Sequence, residues 1–120
     1  MSQLRLLQLQ HNKINELPRL KLLGLEELNL SHNTLSNLRG VESLILLKKL
    51  DVSKNLLSSI EFLTLLFLNE LNISENMISE INNLFLPCLQ ELRLNNNKLT
   101  KKGNGVAFLP NLKEVNIDDN

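Results

Sequence analysis

The sequence predicts an α/β-class solenoid, in which short parallel strands stack into a curved sheet and brief returns run along the opposite side. Two observations predict it. Among 120 residues there are 32 Leu and 18 Asn, a bias that compact enzymes rarely show and that calls for a search for repeats. Aligned on their asparagines, the segments LRLLQLQHN, LEELNLSHN, LKKLDVSKN, LNELNISEN, LQELRLNNN and LKEVNIDDN then share one pattern, LxxLxLxxN.

The six segments begin at Leu4, Leu25, Leu47, Leu68, Leu89 and Leu112, in steps of 21, 22, 21, 21 and 23 residues. They close on Asn12, Asn33, Asn55, Asn76, Asn97 and Asn120. Within each, the LxL alternation has a period of two, so its leucines share one face of a short strand. These strands are expected near 4–9, 25–30, 47–52, 68–73, 89–94 and 112–117. One strand cannot bury its apolar face alone, but parallel neighbours bury a continuous core. The closing asparagine turns the chain out of the strand, where its amide can satisfy backbone groups that a turn leaves unpaired. Asn12, Asn33, Asn55, Asn76 and Asn97 are therefore expected to form a buried structural ladder.

About ten residues remain for each return, enough for a 3₁₀ turn, a short helix or irregular chain. Pro18, Pro87 and Pro110 fall in these returns, where a missing N–H costs little. The run Gly103–Gly105 reads as a looser convex loop, since the expected apolar residue there is Lys102. Six strands at about 4.8 Å make an arc about 25 Å long.

These segments resemble the leucine-rich repeat family along essentially the whole chain. The apolar pairs after each Asn, Ile14 and Leu17, Leu35 and Leu38, Leu57 and Ile60, Ile78 and Ile81, are similar to the short class found in regulatory subunits of protein phosphatase 1. The resemblance implies one leucine-rich repeat domain over 1–120. It further implies an intracellular scaffold or regulatory subunit in phosphatase, axonemal, centrosomal or spliceosomal settings. A phosphatase-binding face would require aromatic concave residues that these repeats lack. Both ends read as cut, without a polar capping repeat, which predicts a piece of a longer chain.

Composition excludes several other functions. Thirteen basic and thirteen acidic residues balance, and the bases are scattered, so nucleic acid is not the expected partner. The longest apolar stretch, 62–68, is about a third of a membrane span. One cysteine cannot form an internal disulfide, which suits a reducing compartment. The expected location is cytoplasmic, with cytoskeletal, ciliary and nuclear settings as variants of it. An extracellular or bacterial-surface recognition domain is the alternative.

The working surface is expected on the concave sheet, at the third, fifth, seventh and eighth positions of the repeat. The third and fifth columns supply the candidate partner-binding residues Glu27, Asn29, Lys49, Asp51, Glu70, Asn72, Glu91, Arg93, Glu114 and Asn116. The seventh adds Gln10, Ser31, Ser53, Ser74, Asn95 and Asp118; the eighth adds His11, His32, Lys54, Glu75, Asn96 and Asp119. Eight acidic residues against three basic ones predict a concave charge of −5, suited to a basic or polar protein segment.

No catalytic, cofactor-binding or metal-binding set is expected, nor any small-molecule substrate. His11 and His32 stand in one column about 5 Å apart, but only Gln10, Ser31 and Lys54 are near, and a lysine disfavours a cation. Cys88 reads as a small, partly buried thiol without a base to activate it. Asn29-Leu30-Ser31 and Asn72-Ile73-Ser74 match the glycosylation sequon but lie inside predicted strands.

Overall fold

A computed structural model describes residues 4–18, 20–60, 64–81, 84–99 and 107–120. The anticipated loop at Gly103–Gly105 and its Lys102 lie outside these residues, as do Arg19, Lys101 and the first part of the 62–68 stretch.

Six strands form one parallel sheet in the order of the repeats. They are β1 (Leu6–Gln8), β2 (Glu27–Asn29), β3 (Lys49–Asp51), β4 (Glu70–Asn72), β6 (Glu91–Arg93) and β8 (Glu114–Asn116). Each lies inside its expected window, but only three residues pair as strand. Neighbours pair without slippage, so Leu7, Leu28, Leu50, Leu71, Leu92 and Val115 form one column. A one-residue slip would send every apolar side chain to the wrong face, so burial sets this alignment.

The core is a stack of aliphatic columns. Leu25, Leu47, Leu68 and Leu89 are fully buried, as are Leu30, Val52 and Ile73 just after the strands and Leu35, Leu57 and Ile78 beyond the asparagines. Each such side chain contributes about 1.5–3 kcal/mol over an exposed one. Val115 and Ile117 of the sixth repeat are 48% and 56% exposed where their counterparts Leu71 and Ile73 are buried.

The returns differ from one another. One holds a 3₁₀ turn, Val41–Ser43, entered through Gly40 at φ 100°. Ser43 Oγ donates to Gly40 O at 2.8 Å and to Leu20 O at 3.2 Å, tying the turn to the preceding repeat. Another departs from the expected helical or irregular chain: β5 (Leu84–Phe85) pairs in parallel with β7 (Ala107–Phe108) as a second, two-stranded sheet. A return whose backbone is extended can satisfy its N–H and C=O groups across repeats, as the main strands do.

Three expectations about side-chain placement are corrected. Ser31, Ser53 and Ser74 are buried rather than facing solvent. The eighth column does not extend the strands: His11, His32, Lys54, Glu75, Asn96 and Asp119 all take left-handed backbone, φ 53° to 60°. The chain bends out of the strand there, which removes this column from the sheet face. Cys88 is exposed rather than partly buried, because it occupies a turn just before β6.

Candidate binding face

The end of each strand is built from short polar side chains. Asn29 Oδ1 accepts from Ser31 N at 2.9 Å and from Ser31 Oγ at 2.7 Å. Asp51 repeats this with Ser53 at 3.0 and 2.7 Å, and Asn72 with Ser74 at 3.1 and 2.7 Å. Such turns imitate a backbone turn and release the chain from the strand. They also explain why the serines are buried: each hydroxyl is satisfied within the turn. The same geometry occupies the sequon asparagines Asn29 and Asn72, both half-buried.

The closing asparagines then tie repeat to repeat. Asn76 Nδ2 donates to Ile73 O and Ser74 O in its own repeat and to Val52 O in the one before, at 3.0–3.1 Å. Its Oδ1 accepts from Leu57 N at 3.0 Å. Asn33, Asn55 and Asn97 make the equivalent bonds, to Ile14, Leu35 and Ile78 N–H respectively. These four asparagines are buried. Asn12, expected in the buried ladder, is exposed instead; among the described residues its amide donates to Leu9 O and Gln10 O of its own repeat.

With the turn residues set aside, the sheet face is made of the third and fifth columns. It is a shallow open trough of about 330 Å3, bordered by Glu27, Lys49, Asp51, Glu70, Glu91 and Arg93 among others. Five acidic residues (Glu27, Asp51, Glu70, Glu91, Glu114) stand against two basic ones (Lys49, Arg93), a net −3 rather than the expected −5. The difference comes from the seventh and eighth columns, which belong to the turns.

Charge is uneven along the trough. Lys49 lies 3.7 Å from Glu27 and 3.8 Å from Glu70, so the first half carries an alternating, partly matched set. Beyond it, Glu70, Glu91 and Glu114 are direct register partners on β4, β6 and β8. Arg93 is the only basic residue on this half of the sheet face, one column over. Asn29, Asp51 and Asn72 border the trough but are also committed to turns, as is Asn116, through Asp118 N at 3.1 Å. Like carboxylates held at strand spacing repel one another, and a cation laid along them relieves that repulsion.

His11 and His32 stack with ring centroids 4.1 Å apart and planes 25° from parallel. The pKa of His32 lies below the ordinary histidine value of 6.5, first through loss of hydration, then through His11 and Lys54. Stacked rings do not converge their nitrogens on one point, and no group of three or more His, Cys, Asp or Glu able to hold a metal occurs among the described residues. Nor is any helix among them long and apolar enough to cross a membrane.

Open on one side, the trough has the form of a docking strip rather than an enclosed ligand pocket. A family model, Leucine Rich Repeat, matches residues 24–44, which hold β2, its closing Asn33 and the 3₁₀ return. That one repeat is similar to the leucine-rich repeat, and the other five segments keep its LxxLxLxxN spacing. With the six-stranded parallel sheet, the chain's fold is a leucine-rich-repeat solenoid, an architecture that generally serves protein interaction. No curated protein matches the chain.

Sequence reasoning missed the left-handed column and the Asx turns. The second had a legible signal, since Asn-x-Ser or Asp-x-Ser recurs at the same place in three successive repeats. The first was half legible: Asn, Asp and His tolerate left-handed backbone better than most residues, whereas Lys54 and Glu75 do not advertise it.

Proposed function

We propose that this solenoid is an intracellular interaction module, a scaffold or regulatory subunit, that docks a basic, extended segment of a partner protein along its concave sheet. The observation that carries this reading is the in-register column Glu70, Glu91 and Glu114, of which Glu70 is the one that Lys49 also reaches. An extended segment crossing the strands meets one carboxylate per repeat, and such charge matching governs steering and specificity. The lack of aromatic side chains on the face favours modest affinity. A cytoplasmic setting rests on the lone, exposed Cys88, and the short phosphatase-regulator class rests on the apolar pairs after each asparagine.

The test is affinity capture from cell lysate with the chain and with a variant carrying Glu70→Lys, Glu91→Lys and Glu114→Lys. Each protein retained only by the first is then titrated directly, at rising salt. A partner whose basic segment binds the chain, and whose affinity falls with salt and with the triple variant, supports the reading. Identical captures would make the carboxylate column a solvated face and move binding elsewhere.

A further inference from the structure

Among the described residues, five of the six repeats close a tight turn just before the strand. Leu25 N–H donates to Leu22 O at 3.0 Å, Leu47 to Leu44 and Leu68 to Leu65 at 3.1 Å, Leu89 to Leu86 at 3.2 Å, and Leu112 to Leu109 at 3.3 Å. The pairs at the turn tips are Leu23–Gly24, Ile45–Leu46, Leu66–Phe67, Pro87–Cys88 and Pro110–Asn111. Turn tips favour Gly, Pro, Asn and Asp, which three of the pairs supply through Gly24, Pro87, Pro110 and Asn111. The first three pairs also place large apolar side chains in solvent: Leu23 at 59%, Ile45 at 57%, Leu46 at 41%, Leu66 at 51% and Phe67 at 52% exposure.

Consecutive turns stack at the strand spacing of about 4.8 Å, so these five side chains form one ridge along the edge from which the strands start. Scattered exposed leucines need no explanation, but a continuous ridge on the order of 500 Å2 does. Beside it Glu26 lies 3.5 Å from Arg5 and 3.3 Å from Lys48.

We propose that the ridge is the interface of a two-fold dimer of this chain. The size of the second tip residue rises along the ridge, from Gly24 through Leu46 to Phe67. A second copy laid antiparallel about the Ile45–Leu46 turn reverses that gradient. Phe67 of each copy then faces the notch at Gly24 of the other, and Leu46 meets Leu46 on the axis. This is the self-complementarity that a two-fold contact requires. Two such ridges bury about 1,000 Å2 together, at the lower bound of a specific interface, so the dimer forms at high protein concentration. The contact leaves both concave troughs open and does not depend on what they bind.

Sedimentation velocity of the chain across the micromolar range is the test, with a circular dichroism melt of each variant to establish folding. Phe67→Gly empties the knob and Gly24→Phe fills the notch; each weakens dimerisation about tenfold. Gly24 has no positive φ, so its backbone accepts a side chain. The double variant exchanges knob and notch and restores most of the affinity. Leu23→Lys with Leu66→Lys, at exposed tips, abolishes the dimer without touching the core. Val115→Lys with Ile117→Lys, at the open end of the sheet, leaves it intact. A monomer at every concentration overturns the proposal. So do association that survives the tip lysines, association lost only with the end lysines, and a double variant no better than the singles.

Discussion

The asparagine at the end of each repeat does two things with one side chain. In Asn76 the amide NH₂ holds three carbonyls and the amide oxygen holds the Leu57 N–H, all in a buried setting. Alanine there leaves those groups without water or partner, and Asn76→Ala is expected to cost about 1–3 kcal/mol in a urea melt. Glu70→Ala, on the open trough, is expected to change stability by less than about 0.5 kcal/mol. Equal losses would mean that the inward and outward faces have been exchanged. The spacing of the asparagines made this residue legible in the sequence. The burial of Ser31, Ser53 and Ser74 was not, because a serine two residues after Asn or Asp is polar on paper and becomes internal only when its hydroxyl finds that oxygen.

At the scale of the element, the strands were readable one by one, while each return was left open between a 3₁₀ turn, a short helix and irregular chain. A strand is specified by its own alternation and by identical neighbours, whereas a return of about ten residues chooses its shape by what lies beneath it. The 3₁₀ turn Val41–Ser43 forms where Gly40 can take φ 100°, Glu42 accepts from Gly40 N at 2.9 Å, and Val41 and Leu44 drop into the core. A Cβ on Gly40 would sit 3.4 Å from both Leu17 Cβ and Pro18 O, besides the unfavourable φ. Gly40→Ala is therefore expected to lower stability by about 1–2 kcal/mol. Gly24→Ala, whose glycine has no positive φ, should cost less. A melt in which the two variants match would show that the left-handed entry to the 3₁₀ turn is not needed. The parallel pair β5 and β7 had no comparable signal, since two residues are too few to show a period.

Over the whole molecule, stability is quasi-one-dimensional: each repeat rests only on its neighbours. Val52 N–H donates to Asn72 O at 2.9 Å in the middle of the stack, and equivalent bonds run from Leu9 to Asn29 and from Leu94 to Asn116 at its ends. Similar in length, these bonds differ in what covers them. Leu7 is only half-buried and Val115 is exposed, whereas Leu50 and Leu71 are enclosed. Native-state hydrogen exchange should therefore find the Val52 amide slowest and those of Leu9 and Leu94 markedly faster. Uniform protection along the chain would instead indicate that all repeats open as one block.

The sequence by itself determined the period, the six strand positions, the inward leucines and the closing asparagines. Each of these is a local demand repeated often enough to be seen: one apolar face per strand and one amide per turn. Tertiary structure alone decided which polar residues face the trough and how charge is shared along it. Lys49 stands between Glu27 and Glu70 only because strands from three repeats are aligned side by side, so a count of column charges gave −5 where the sheet face carries −3. The apolar ridge belongs to the same category. Leu23, Ile45, Leu46, Leu66 and Phe67 look like core residues in a leucine-rich chain, and only the stacking of their turns at one edge leaves them outside. Periodicity reports what neighbouring residues share, while exposure and pairing depend on which distant residues the stack brings alongside.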